Sequence, residues 1–319
     1  MRRLLAGLAV GSFLVAASAC GSSGGGGASV KNASSGGTST VKVGVIPIVD
    51  VAPLYLGRQK GFYGKRGLKL SMTTAQGGAA IVPGVVSGQF QFGFSNMTSL
   101  MIAQSQNVPV KAVVNGVAST GVGGKDFGAI TVKKGSPIKS AKELEGKKVA
   151  VNTLKNINET AVRESVRKAG GDPSKVKFVE LAFDQMPAAL DSGQIDAAMV
   201  VEPALATVKS QGATEIASSL VDVAKGLTVA MYFTSTQYEQ KNPDVVRKFQ
   251  EATAESLAYL SASPTVVQEQ LKVDLPDERD QLHTRVAPRF AELRTHVYEQ
   301  IQAAKRGGTD TGPPEKRLT

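Results

Sequence analysis

A single cysteine among 319 residues, Cys20, rules out any disulfide within the chain. Tryptophan is absent, so any aromatic platform falls to Tyr or Phe. Histidine occurs twice, as His283 and His296, both in the carboxyl-terminal region. No cysteine nucleophile, metal-ligand cluster, phosphate-cradling glycine loop or Gly-x-Ser-x-Gly elbow is visible, so no cofactor or metal is expected and enzymes have little support. The formal charge is +10 and falls by two if Arg2 and Arg3 are removed. Lys and Arg are spread along the chain without a basic stripe and interleaved aromatics, so nucleic-acid binding is poorly supported. The excess reads as a solvated basic surface or as attraction for anionic solutes or lipid headgroups.

What is present begins with "MRRLLAGLAVGSFLVAASAC": two Arg, an uncharged stretch Leu4–Ala19, then Cys20. The apolar stretch is too short for a comfortable membrane span and ends in small residues. It resembles a bacterial lipoprotein signal, which implies a signal peptide over 1–19 and lipidation of Cys20, with a plain secretory signal as the alternative. The usual Leu three places before the Cys is Ala17 here. A lipid anchor of more than one chain would hold the protein stably to the membrane. Residues 20–40, "CGSSGGGGASVKNASSGGTST", are too Gly/Ser-rich to bury a core and read as a flexible tether spanning roughly 25 Å. The Asn32-Ala33-Ser34 acceptor pattern belongs to that linker.

Further on, one phrase occurs twice: "VVSGQFQFGFSN" from Val85 to Asn96 and "ALDSGQIDAAMVVEP" from Ala189 to Pro203. Each copy follows apolar residues at helical spacing: Ile81, Val82, Val85 and Val86 in one, Met186, Ala189 and Leu190 in the other. Gly88 or Gly193 then supplies a helix stop. A β-type run, Phe90 to Phe94 or Ile195 to Val201, closes on polar or turn residues. Each copy is therefore the second half of a βαβ unit, and two of them point to two similar α/β lobes.

Strand and helix patterns alternate from "VKVGVIPI" through "VPVKAVV" and again from "KKVAV" through "PALATVKSQG", implying a mostly parallel sheet in each lobe. Ser140 with Glu143 spells a capping box, and Asn242-Pro243 marks the start of a long helix. After "LTVAMYFTST" the pattern is helical. The expected plan is 41–128 plus 227–308 as lobe I, 129–226 as lobe II, and 309–319 as a disordered tail, with the chain crossing near Phe127–Ile130 and returning near Gly226–Thr228.

"VKVGVIPI…APLYLGRQKGFYGKRGLKL…QGGAA…SGQFQFGFSN", with "LEGKKVAVNT" and "AALDSGQIDAAMVVEP", resembles the solute-binding lipoproteins of ABC importers, in the branch for sulfonates, nitrate, taurine and thiamine-pyrimidine precursors. The resemblance covers roughly 41–260. It implies a two-lobed, periplasmic-binding-protein-like α/β fold (type 2) with a two-crossing hinge. It implies a lipid-anchored monomer on the extracytoplasmic face of the cell membrane that binds a small molecule and serves a membrane permease. Ligands of such sheets bind beyond the strand carboxyl ends, where ligand contact with both walls favours closure.

That position selects the ligand residues: Asp50 and Tyr55 after the first strand, Gln76, Gly77 and Gly78 after the second, Ser95 and Asn96 after the third, and Asn115 after the fourth. The second lobe supplies Asn152, Thr153 and Asn156, then Phe183 and Asp184, then Glu202, and Tyr232 lies on the return strand. The two glycines would let a ligand approach backbone amides. Plainer readings stand beside these: Asp50, Ser95, Asn152 and Asp184 as caps, Glu202 as a first-turn charge serving the helix dipole, Tyr55 as core. The set holds no Arg and no Lys beyond Lys155. A small organic anion (sulfonate, nitrate or carboxylate) would then rely on backbone N–H groups, whereas a pyrimidine-like compound would suit Asp50 and Glu202 better. A biosynthetic enzyme of the same fold and a surface receptor without transport are the other classes, and turnover of bound ligand separates the first from a binding protein.

Overall fold

The computed structural model describes residues 37–261. The expected signal, Cys20, nearly all of the tether, the two histidines, residues 262–308 of lobe I and the 309–319 tail lie outside the described residues. In chain order the strands are β1 (Ser39–Val45), β2 (Leu68–Thr74), β3 (Phe92–Asn96), β4 (Val110–Ala118), β5 (Gly128–Val132), β6 (Lys148–Val151), β7 (Lys177–Glu180), β8 (Ala197–Val201), β9 (Thr214–Ala217) and β10 (Thr228–Ser235). The helices are α1 (Ala52–Gln59), α2 (Gly78–Val86), α3 (Met97–Ser105), α4 (Ile157–Lys168), α5 (Met186–Asp191), α6 (Ala204–Ser210), α7 (Ser219–Val223), α8 (Thr236–Lys241) and α9 (Pro243–Ser261).

The strands form two five-stranded sheets, ordered β2-β1-β3-β10-β4 and β7-β6-β8-β5-β9. The orders are equivalent strand for strand. In the first sheet β1 runs parallel to β2 and β3, while β10 is antiparallel to β3 and β4. In the second, β6 runs parallel to β7 and β8, while β5 is antiparallel to β8 and β9. Each lobe thus borrows one reversed strand from where the chain crosses over, which the alternation of strand and helix patterns alone does not reveal.

The repeated phrase explains the likeness. After α2 and α5 the backbone turns at Gly88 (φ 80°) and Gly193 (φ 75°), a left-handed region where a Cβ costs energy. Gly88 N–H donates to Val85 O and Gly193 N–H to Leu190 O, both at 3.2 Å, satisfying carbonyls the helices leave open. The strand that follows is buried along its whole length in both copies, and begins two residues later than the sequence suggests, at Phe92 and Ala197.

In lobe I, α9 packs an aromatic cluster against the sheet. The Phe249 ring stacks on Phe92 with centroids 3.9 Å apart and planes 7° apart, and Phe94 and Tyr232 extend the cluster. Gly57 of α1 faces Ser256, where a Cβ would stand 2.0 Å from the hydroxyl, so the two helices pack at glycine distance. The expected capping box is not made: Glu143 accepts from the amide of Lys139, one residue before the cap, at 3.1 Å, and the Ser140 hydroxyl donates to Glu143 and caps no amide. The segment it opens is a 3-10 turn, Ala141–Leu144, rather than an α-helix. Asn242 likewise faces backwards, its Nδ2 donating to Tyr238 O at 3.2 Å. No helix among the described residues is long and apolar enough to cross a membrane.

The chain passes between lobes at 119–127 and 224–227. The passages are bonded to each other, Ser119 N–H to Leu227 O at 2.8 Å, and Gly124 N–H reaches Ser218 Oγ at 2.6 Å.

Candidate functional site

The carboxyl ends of β1, β2 and β3 confront those of β6, β7 and β8. Three contacts fix the arrangement. Val49 N–H donates to Glu202 O at 3.0 Å across the lobes. Gln76 and Asn152 pair reciprocally, Gln76 Nε2 to Asn152 O at 2.9 Å and Asn152 Nδ2 to Gln76 O at 3.3 Å. Asn156 Nδ2 donates to Ser99 Oγ at 2.7 Å, and Asn158 steadies Asn152 by donating to its Oδ1 at 2.7 Å.

Beside this seam lies a cavity of about 500 Å³, the size of a site for a small organic molecule. Pro47, Thr74, Ala75 and Gln76 form its lobe I side, while Phe183, Asp184, Gln185, Pro187 and Ala188 join Ala204, Thr207 and Gln211 on the lobe II side. Among the described residues, no Lys or Arg lines it. Its polar equipment is carboxamides, hydroxyls and the Asp184 carboxylate, groups that between them donate and accept.

Of the residues selected from the sequence, Gln76, Phe183 and Asp184 line this cavity. Others are engaged elsewhere. Asn96 caps α3, its Oδ1 accepting from Ser99 N–H at 2.9 Å, and Asn156 opens α4 by accepting from Ile157 N–H at 2.6 Å. Ser95 is fully buried, with its hydroxyl 3.4 Å from Asn96 O. The free side of Gly77 is filled by Thr153 of the opposite lobe, and that of Gly78 by Ser95 of its own. Glu202 Oε2 accepts from Ala206 N–H at 3.1 Å in the first turn of α6, the dipole-serving role read from the sequence.

Asp50 and Tyr55 are buried in lobe I, Asp50 in a 3-10 turn (Val49–Val51) and Tyr55 under the Arg58 guanidinium, 5.6 Å from ring to carbon. Tyr232 is core, packed against Phe94 and Phe249, and burial pushes its phenol well above its ordinary range. Asn115 is exposed on edge strand β4 and bonds the neighbouring Gly116 N–H at 3.1 Å, away from the cavity. Lys155 lies outside the cavity lining. Among the described residues there is no cluster of three or more His, Cys, Asp or Glu able to hold a metal.

Sequence reasoning missed Ser99, Thr74, Gln185, Thr207 and Gln211. Thr74 was within reach, being the last residue of β2. Thr207 of α6 and its C-cap Gln211 are one helical turn apart, and nothing local distinguishes them from solvent-facing positions.

Residues 48–266 match the family described as NMT1/THI5 like. The taurine-binding periplasmic protein of Escherichia coli (strain K12) is 27% identical over 189 residues, which cover 59% of this chain and 57% of that protein. A 4-amino-5-hydroxymethyl-2-methylpyrimidine phosphate synthase of Saccharomyces cerevisiae, THI12, is 21% identical over 225 residues, 66% of this chain and 64% of the enzyme. In both, the matched stretch spans less than two thirds of the relative's own length. Among solved structures, the alkanesulfonate-binding protein SsuA of Xanthomonas axonopodis pv. citri, bound to MOPS, superposes with a TM-score of 0.59 at 16% identity, over 85% of this chain and 94% of that one. That likeness establishes the two-lobed fold.

Proposed function

The chain belongs to the NMT1/THI5-like family, and on that premise we propose that it is the extracytoplasmic solute-binding component of an ABC importer. In this reading it takes a small organic anion of the sulfonate, nitrate or carboxylate type between its lobes and delivers it to a membrane permease. Cys20 carries the lipid that anchors it, following Ala17-Ser18-Ala19. The observation that carries the proposal is the pair of equivalent lobes meeting strand end to strand end around a cavity of about 500 Å³. Gln76, Gln185, Thr207 and Gln211 supply amide and hydroxyl donors for an anion's oxygens.

A second reading has a specific observation behind it. The cavity is lined by Asp184 and the Phe183 ring and, among the described residues, by no Lys or Arg. That lining suits an uncharged, pyrimidine-like compound with N–H groups to donate. Binding without turnover fits both readings.

The test is thermal denaturation of the protein with taurine, alkanesulfonates, nitrate, simple carboxylates and aminopyrimidines, each supplied in excess. A true ligand at about a hundred times its dissociation constant stabilises the folded state by about 2.7 kcal/mol. A rise with the anions alone supports the first reading, and a rise with aminopyrimidines alone supports the second. Conversion of a bound compound, followed by mass spectrometry, would replace both with a biosynthetic enzyme.

A further inference from the structure

Most groups at the meeting of the lobes bond protein to protein. Gln76 spends its Nε2 on the Asn152 carbonyl, Asn152 spends its Nδ2 on the Gln76 carbonyl, and Asn156 reaches Ser99 Oγ at 2.7 Å. The two asparagines are held in place from within their own lobe: Asn158 Nδ2 donates to Asn152 Oδ1, and Asn156 Oδ1 is fixed by the Ile157 amide. They are 5% and 3% exposed, and the Asn156–Ser99 bond is made out of water, whereas the Gln76–Asn152 pair, with Gln76 at the surface, is partly buried. All four side chains are uncharged, so the contact keeps its strength across the pH and salt ranges that weaken ion pairs.

Next to Gln76, Gly77 faces the Thr153 and Asn152 side chains of the opposite lobe. Its φ of −165° is extended, a conformation any residue adopts, so the backbone does not call for glycine. The opposite lobe does. A Cβ on residue 77 would stand 2.4 Å from Thr153 Oγ1 and 3.3 Å from Asn152 Nδ2, but 3.6 Å from Thr153 Cβ, which is ordinary contact.

We propose that Gln76, Ser99, Asn152 and Asn156 form a solute-independent latch that sets the closing equilibrium of the lobes, and that Gly77 is the slot that lets Thr153 pass. These are positioning residues: they fix how much of the protein is in the closed arrangement, and through that fraction the apparent affinity for any solute. The proposal rests on the binding-protein reading only where closure is taken to trap a solute. The latch is measured with no solute present, so its failure and that of the transport reading are separate results.

The experiment uses the full-length chain with Cys20→Ser and spin labels at Lys69→Cys and Lys168→Cys, exposed positions on lobe I and lobe II. Inter-label distances are read by pulsed electron paramagnetic resonance without added solute. The parent should give one dominant short distance. Gln76→Ala with Ser99→Ala removes both lobe I side chains of the latch and leaves the Asn96 cap on the Ser99 amide. Loss of two net hydrogen bonds should raise the open-to-closed ratio about tenfold. Gly77→Ala, with the latch intact, should also populate the long distance, and adding Thr153→Ala should restore the short one, because the Thr153 hydroxyl is the severe clash and the Asn152 amide, at 3.3 Å, need give only by a few tenths of an ångström. Melting of each lobe, followed by circular dichroism, should stay near the parent.

A distance distribution unchanged in both Gln76→Ala/Ser99→Ala and Gly77→Ala would overturn the proposal. So would a Gly77→Ala opening that Thr153→Ala leaves in place, because the strain would then lie inside lobe I.

Discussion

At the scale of single residues, position relative to a strand end is a weaker guide to ligand contact than hydrogen-bond bookkeeping. Asn96 and Asn156 stand where a ligand residue is expected, yet both side chains serve helix starts. The N-cap of α3 is the clean test. Asn96→Ala leaves the Ser99 amide without its acceptor and should lower stability by about 1 kcal/mol, whereas Asn96→Asp keeps an equivalent oxygen and should cost little. Chemical denaturation checks both, and equal losses in the two variants would mean that Asn96 matters for something other than the cap. Asn, Ser and Thr after a strand look the same whether they face a ligand, an amide or the other lobe. Gln76 illustrates the difficulty in reverse: the residue that lines the cavity also bonds across the seam, and only the folded chain separates the two tasks. Tyr232 lies on the return strand as expected and is buried in the core, since a strand alternates its faces and the sequence does not say which face meets α9.

At the scale of elements, glycine stops and apolar runs made most of the fold legible. Gly88 and Gly193 take positive φ where the sequence predicts a helix end, and Gly61 and Gly170 do the same after α1 and α4. The reversed direction of β5 and β10 is not legible, because their partners are distant in sequence. The docking of α9 is another long-range feature, and it carries a pH dependence. Lys65 and Arg66, beside β2, both bond Glu255 of α9, and Arg66 also meets Glu251. The hydrogen bond from Lys65, then that from Arg66, holds the Glu255 carboxyl below its ordinary value of 4.5. A carboxyl lowered by folding stabilises the folded state above that ordinary value, and the benefit is lost as the pH falls through the lower folded one. Glu255→Gln should therefore melt at a lower temperature than the parent at about pH 7, with the gap closing as the pH falls below 4.5. The pair is partly exposed, so the gap should also shrink in high salt. A gap independent of pH would assign the loss to packing against α9 instead.

At the scale of the whole molecule, two like lobes and two passages between them are what let a short, uncharged seam control access to a cavity. The repeated phrase announced the lobes, because each copy builds the same helix, turn and buried strand. The passages were located only to within a few residues, since loops carry no periodicity. Their order depends on Asp126, which is 7% exposed and accepts from Ser119 Oγ at 2.8 Å and Thr120 N–H at 3.0 Å. Ser119 in turn accepts from Gly121 N–H at 3.2 Å and donates its own amide to Leu227 of the return passage. One carboxylate thus shapes the first passage and, through Ser119, registers it against the second. Asp126→Ala removes the acceptor but touches neither sheet. Amide exchange at Thr120 and Gly121 should accelerate about tenfold or more, the scale of a lost bond to a charged group. The substitution Asp126→Asn retains an oxygen for the Thr120 amide, so its exchange rates should fall between those of the parent and Asp126→Ala. Exchange in the buried strands β3 and β8 should be unchanged in both variants, because each lobe keeps its own core. Equal acceleration in those strands would mean that the lobes unfold as one body and that Asp126 holds the fold rather than the hinge.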